Sequence, residues 1–320
     1  MENNKLNKNL IMKILFFATS EFGAIVLEKL AHSIFKPILV VTTPDKPKNR
    51  EKIITPPPAK IAAQKLNIEI KQPQNLKSYQ SEIEKINPDL IIVASYGKIL
   101  PKEILEIPQY GCLNIHPSLL PKYRGPSPIQ NTILNGDKET GITIILMDEQ
   151  IDHGPIISSL RLTLRGKEKY SELEKKLAEK SAELLIETIP KWMKKEIKPQ
   201  PQNHKEATFT KLLKKEDGHI KWSKTAEEIE RQIRAYEKWP QTYSILDGKI
   251  LKILESSVKI LPIEKNYPYG KLVVSPEKEI LVATKQNYLK LEKMQIEGKK
   301  PVNPKEFING YYKFIGSILK

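Results

Sequence analysis

Asn114 and His116 stand two residues apart in Gly111-Cys-Leu-Asn-Ile-His116, an apolar run that leads into the proline-bounded stretch Pro117-Ser-Leu-Leu-Pro121. Strand side chains alternate between faces, so a strand over 111–116 turns the Asn114 carboxamide and the His116 imidazole to one side. An amide donor beside an imidazole suits the stabilisation of an oxyanion in acyl transfer. A carboxylate to orient or charge the histidine has two sources in Asp148-Glu-Gln-Ile-Asp-His-Gly154, a turn-rich loop after the apolar run 141–147. Asp152 is the natural candidate and Asp148 its rival, and the loop is expected at the same end of the sheet as His116. Cys112 shares the Asn114 face, with no basic neighbour to lower its pKa, and reads as packing rather than as a nucleophile.

Several other chemistries lack their residues. The turn after the first apolar run reads Ala18-Thr-Ser-Glu-Phe-Gly23, without the Gly-x-Gly-x-x-Gly of a dinucleotide site. There is no Walker A sequence and no Gly-x-Ser-x-Gly. The five histidines lack zinc-helix spacing, and the single cysteine leaves no internal disulfide or thiolate cluster, so no metal is expected.

The elements that must position these groups follow from the hydrophobic pattern. Apolar runs at 13–19, 36–43, 67–70, 89–94, 111–116 and 141–147 alternate with helical patterns at 20–31, 58–66 and 78–86. That order predicts an α/β domain with a doubly wound, mostly parallel sheet, whose ligands lie at strand carboxyl ends. A long amphipathic helix region covers 168–195, broken at Pro190. Residues 198–206 are polar and proline-containing and read as a linker. Beyond it come a helix at 225–236 and short strand patterns at 242–246, 251–255, 271–274, 280–284 and 289–294, which fit a small OB-like β-barrel. The expected division is a tail at 1–11, a catalytic domain at 12–197 carrying a basic, proline-stiffened loop at 44–58, a linker at 198–206, and a C-terminal β-barrel domain at 207–320.

Charge points to a polyanionic partner. The 320 residues carry a net charge of +15, and residues 208–320 hold 22 basic against 14 acidic side chains. Such an excess raises association rates with anions. Only six residues are arginine, Arg50 among them. No apolar run reaches the ~18 residues of a membrane span. No signal-peptide pattern is present. A cytoplasmic protein with no membrane association and no obligate protein partner is expected.

NIHPSLLPKYRG at 114–125, the segment Gly136-Asp-Lys-Glu-Thr-Gly-Ile-Thr143, and Met147-Asp-x-x-Ile-Asp-x-Gly154 together resemble the formyltransferases that use 10-formyltetrahydrofolate. Val41-Thr-Thr-Pro-Asp-Lys-Pro47, Ala94-Ser-Tyr-Gly-Lys-Ile-Leu-Pro101, Ala207-Thr-Phe-Thr-Lys-Leu212 and Ile233-Arg-Ala-Tyr-Glu-Lys-Trp-Pro240 are similar to the branch of that family acting on methionyl-tRNA. The resemblance spans nearly the whole chain. It implies formyl transfer from 10-formyltetrahydrofolate to the α-amino group of initiator methionyl-tRNA; the alternative is an amino-sugar-nucleotide acceptor with the same folate donor. It makes Asn114, His116 and Asp152 the catalytic trio, with the first two at the oxyanion and Asp152 orienting the histidine. It places Ser118, Leu119, Leu120, Pro121, Tyr96, Gly97, Ile99, Leu100 and Asp148 at the folate, and Lys46, Lys48, Arg50 and Lys52 at the tRNA acceptor arm. Asn49 and Glu51 stand where the family's loop has glycines, and Thr19-Ser-Glu-Phe22 departs from its Gly-Thr-Pro-type turn.

Overall fold

A computed structural model describes residues 12–48, 53–261 and 267–320. The first half follows the predicted alternation: β1 (Ile14–Ala18), α1 (Glu21–Ala31), β2 (Leu39–Val41), β3 (Lys46–Lys48), β4 (Ile53–Thr55), α2 (Pro58–Lys65), β5 (Glu69–Lys71), α3 (Gln80–Ile86), β6 (Leu90–Ala94), α4 (Lys102–Leu105) and β7 (Cys112–His116). Then come α5 (Pro128–Asn135), β8 (Glu139–Leu146), β9 (Ile156–Thr163) and α6 (Tyr170–Met193). The chain divides into two compact units. One holds residues up to Pro126 with Thr140–Leu162 and Glu174–Thr210; the other holds Ser127–Glu139, Thr163–Leu173 and Lys211–Lys320.

The first unit is built on a seven-stranded sheet in the order β5-β2-β1-β6-β7-β8-β9. Strands β5, β2, β1, β6 and β7 are parallel, as their continuous apolar character requires. Strand β8 runs antiparallel to β7, with His116 opposite Thr143 and Leu113 opposite Leu146. This corrects the expected placement of the aspartate loop. It leaves β8 beside the amino end of β7, where the Met147 N–H donates to the Cys112 carbonyl at 2.8 Å, and must fold back to reach His116. Strand β9 extends the sheet beyond the last predicted strand. The 44–58 stretch, predicted as a loop, contains the two-stranded ladder β3–β4, with Pro47 opposite Ile54.

The predicted break at Pro190 does not occur. Helix α6 runs through it, and the Lys194 N–H donates to the Pro190 carbonyl at 3.2 Å. A proline this close to a helix C-terminus removes one intrahelical donor, while Leu177, Ala178, Ala182, Leu185 and Ile189 still form a continuous buried stripe. Residues 198–206 do not form a free spacer. Gln200 pairs with Ile156 through both backbone groups, and Gln202 is buried.

The second unit contains α7 (Ala226–Ala235), β10 (Thr242–Leu246), β11 (Lys249–Lys259), β12 (Leu272–Val274), β13 (Ile280–Ala283), β14 (Tyr288–Ile296) and α8 (Pro304–Tyr311). Helices α7 and α8 each open with a capping box, Thr225 with Glu228 and Asn303 with Glu306. The five strands form one antiparallel sheet in the order β10-β11-β14-β13-β12, a half-barrel rather than a fully laddered barrel. The end of the chain bridges its two edges. Ile245 on β10 exchanges backbone hydrogen bonds with Lys320 at 2.7 and 3.0 Å, and Leu272 on β12 bonds Ser317 and Gly316 at 2.9 Å each. Leu319 is buried between these pairings among Ile220, Trp222, Leu246 and Leu272. Among the described residues, no helix is long and apolar enough to cross a membrane.

The bridging tail generates a stability prediction. Leu319→Ala removes a buried side chain from the segment that seals both edges, so it should cost about 2–4 kcal/mol. Denaturant unfolding checks this; a cost indistinguishable from that of a surface substitution would show that the tail does not hold the half-barrel.

Candidate active site

Asn114 and His116 lie on one face of β7, as the alternation predicts, and Asp152 meets both. Asn114 Nδ2 donates to Asp152 Oδ1 at 3.1 Å. His116 Nδ1 lies 3.4 Å from Asp152 Oδ2, the same oxygen that accepts the Gly125 N–H at 2.7 Å. His116 is 4% exposed, and the Asp152 side chain is 12% exposed. Asp152 takes φ +48°, the left-handed region that costs most residues about 1 kcal/mol but that aspartate tolerates. That backbone reversal aims its carboxylate back across β7.

Asp148, the rival, is committed elsewhere. Its Oδ2 pairs with His153 Nδ1 at 2.6 Å, and its Oδ1 accepts the Gln150 N–H at 2.9 Å. It shapes the loop, while Asp152 enters the site. Gly154 closes the loop where a Cβ would lie 1.8 Å from the Leu146 carbonyl oxygen, so only glycine fits.

Protons distribute by hydrogen-bond chemistry. His116 Nε2 lies 2.9 Å from the Tyr123 carbonyl oxygen, which can only accept, so Nε2 carries a proton. Its other nitrogen faces a carboxylate. His116 therefore presents both nitrogens to acceptors and keeps no spare donor, unlike the pattern expected for an oxyanion ligand. Asn114 uses one Nδ2 hydrogen on Asp152 and keeps a second. The β7 exit is rigid: Ser118 Oγ donates to the Lys122 carbonyl at 2.7 Å, Thr143 Oγ1 donates to the Ser118 carbonyl at 2.7 Å, and the Leu120 N–H donates to Thr143 Oγ1 at 3.1 Å.

The other positions expected at the folate separate by side-chain direction. Tyr96 and Leu100 face the core beside Phe17 and Ile104, and Ser118 and Leu120 are also buried. Burial pushes the Tyr96 hydroxyl up to about 12, so it remains a donor at neutral pH. The Leu119 side chain packs over Gly141, and Pro121 is half-buried. Ile99 is 73% exposed, and Gly97, at φ +81°, has open space where a side chain would stand. Ile151, absent from the predicted set, is 59% exposed on the aspartate loop. Lys102 at the start of α4 pairs with Glu149 at 3.3 Å and ties that loop to the segment after β6.

Of the basic residues, Lys46 is exposed on β3. Asp45 beside it accepts from Gln72 and Lys60, each at 2.7 Å, and these bonds hold its carboxyl below the usual carboxylate range. Lys48 ends β3, while Arg50 and Lys52 lie outside the described residues. Sequence reasoning missed the Tyr123 carbonyl, the Gly125 amide and Gln202, which touch the trio or its backbone.

A mostly parallel seven-stranded sheet followed by an antiparallel half-barrel is consistent with the formyl transferase fold. The profile of the formyl transferase family matches residues 12–189, and that of its C-terminal domain matches residues 212–312. The chain belongs to the methionyl-tRNA formyltransferase family. It is 42% identical to the methionyl-tRNA formyltransferase of Caldicellulosiruptor saccharolyticus, over 96% of this chain and 100% of that one. It is 39% identical to that of Bacillus subtilis, over 96% and 97%. Its fold is also similar to an N-formyltransferase from Helicobacter canadensis crystallised with folinic acid and dTDP-3-aminofucose, with TM-score 0.63 and 21% identity over 88% of this chain and 98% of that one.

Cys112 tests the division between packing and chemistry. It is buried, burial pushes its thiol up, and its Sγ faces the carbonyls of Ile104 and Leu105 at 3.9 and 3.8 Å. Cys112→Ala should retain most turnover, whereas His116→Ala, which frees the Asp152 carboxylate from a partner that orients it, should slow turnover about 100-fold. Equal losses in two folded variants would make the thiol a reactant.

Proposed function

We propose that this chain transfers the formyl group of 10-formyltetrahydrofolate to the α-amino group of methionyl-initiator-tRNA. The observation that carries the reading is the convergence of Asn114, His116 and Asp152 through the 3.1 and 3.4 Å contacts, in a chain alike over 96% of its length to a methionyl-tRNA formyltransferase.

The folate supplies an activated formyl carbon. The residues suit such a ligand: Gly97 leaves room for close main-chain approach, and Ile99 and Ile151 offer uncovered apolar side chains to a flat ring. Tyr96, Leu100 and Asp148 support these two segments, and Ser118–Pro121 fixes the strand exit.

The chemistry assigned to the chain follows from its protons. As the amine nitrogen bonds to the formyl carbon, charge grows on the formyl oxygen, and the spare Asn114 N–H donates to it. The amine must lose a proton, and the Asp152 carboxylate is the base within the trio. His116, held between Asp152 and the Tyr123 carbonyl through its two ring nitrogens, orients and stabilises the carboxylate, which gives the proton it took from the amine to the departing folate nitrogen as that nitrogen's bond to the formyl carbon breaks. The products are an N-formyl amino acid ester and tetrahydrofolate. No enzyme nucleophile is consumed, which agrees with a buried, unactivated Cys112.

The basic 44–58 stretch, with Lys46, Lys48, Arg50 and Lys52, is assigned to the acceptor arm, and the lysine-rich second unit to distributed phosphate contact. Incubation with 10-formyltetrahydrofolate and charged initiator tRNA, followed by ester hydrolysis, should release formylmethionine. Asn114→Ala should slow that release about 100-fold with little change in tRNA affinity. Formylation of an amino-sugar nucleotide but not of the tRNA would overturn the acceptor assignment.

A further inference from the structure

Arg124 is a buried cation outside the catalytic trio. Its Nε and Nη2 both donate to Gln202 Oε1, at 3.2 and 2.6 Å, and Nη2 also lies 2.8 Å from His204 Nδ1. The guanidinium can only donate, so that histidine nitrogen is unprotonated. Desolvation, then His153 and Arg124, hold the His204 pKa below the ordinary histidine value, in keeping with this. The His204 ring stacks on His153 with centroids 4.1 Å apart and planes 2° from parallel.

Gln202 is the second half of the arrangement. Its Nε2 donates to the Asp152 carbonyl at 2.9 Å and to the Gly154 carbonyl at 2.8 Å. Both amide hydrogens and the amide oxygen are thus engaged in a buried position. A buried polar side chain that loses its partners pays the full desolvation cost, so these bonds act together.

The two residues beside Arg124 in the chain already touch the trio: the Tyr123 carbonyl accepts from His116, and the Gly125 N–H donates to Asp152. Residues 123–125 are themselves fixed to 208–210. The Tyr123 N–H donates to Thr208 Oγ1 at 2.8 Å, and the Arg124 backbone pairs with the Thr208 carbonyl and the Thr210 N–H at 2.8 Å each. One short segment therefore meets Asp152 twice, through its carboxylate directly and through its backbone by way of Gln202.

We infer that Gln202, locked by Arg124, is a positioning residue for formyl transfer: it pins the left-handed turn at Asp152 so that the carboxylate faces Asn114 and His116. Neither residue touches the reacting atoms. Their effect comes through geometry, where a displacement of about 1 Å can cost about 100-fold in rate. The inference rests on the formyl-transfer reading of the site.

The test is formyl transfer by the full chain with 10-formyltetrahydrofolate and charged initiator tRNA, comparing wild type with Gln202→Met, Gln202→Glu and Arg124→Lys. Thermal unfolding and amide exchange at Gly125 are measured for each. Gln202→Met removes all four bonds, and Gln202→Glu keeps Arg124 but sets an acceptor against two carbonyls. Each should lower kcat about 100-fold, with KM for both substrates within about threefold of wild type. Arg124→Lys keeps one donor to Gln202 and should lose about tenfold or less. Exchange at Gly125 should quicken about tenfold in both Gln202 variants without a matching loss of global stability. Wild-type kcat in a folded Gln202 variant, or a loss confined to KM, overturns the inference; if neither Gln202 variant folds, an Arg124→Lys loss confined to KM does the same. A wild-type protein that transfers no formyl group refutes the reading of the site instead, and Gly125 exchange unchanged in the variants then still refutes the positioning role.

Discussion

The site depends on one carboxylate aimed by a left-handed reversal of its own backbone. Asp152 occupies a left-handed turn, and its two oxygens are fixed by Asn114 Nδ2 and the Gly125 N–H before His116 is considered. A carboxylate with two assigned donors cannot rotate freely, so its remaining lone pairs have fixed directions. Asn114 gains orientation from the same bond and keeps its second N–H for substrate. His116 is then squeezed between Asp152 and the Tyr123 carbonyl. Asn114 and His116 each meet Asp152, so the carboxylate links the other two side chains.

The surrounding fold explains how such a turn persists. Because β8 is antiparallel to β7, the aspartate loop starts at the Cys112 level and must double back over the strand. Gly154 lets it pass against the Leu146 carbonyl, and Asp148 braces it through His153 and the Gln150 amide. On the other side, Thr143 and Ser118 stiffen the exit of β7 with short side-chain bonds to backbone. The rigid sheet supplies position, and the loops supply direction.

What the sequence made legible was local. Alternation over 111–116 placed Asn114 and His116 on one face because strand geometry has no choice in the matter. Cys112 was legible as packing because it stands in an apolar strand with no basic neighbour to lower its pKa. Residue types and spacing left Asp148 standing as a rival to Asp152, since the choice between them turns on the strand direction of β8 and a single positive φ. Tyr96 and Leu100 stood beside open positions in sequence, yet their side chains turn inward, a choice made by packing against Phe17 and Ile104. The stretch 198–206 looked like a spacer because Gln202 is buried by hydrogen bonds rather than by apolar contact, and such burial leaves no hydrophobic pattern to read. Pro190 misled in the opposite direction: near a helix end, the stripe on α6 outweighs one missing donor. The half-barrel was legible strand by strand, but the bridging of β10 and β12 by residues 316–320 is a long-range pairing with no local signature.

If the trio acts as one unit, its members are not separable contributions. The most direct measurement is kcat/KM for wild type, Asn114→Ala, Asp152→Ala and the double variant, with folding checked in each. Removing either partner already releases the other from its fixed direction. The double variant should therefore be about as slow as the slower single variant, as groups that act together behave. Losses that multiply, so that the two free-energy costs add in full, would mean that Asn114 and Asp152 work independently and would contradict this account.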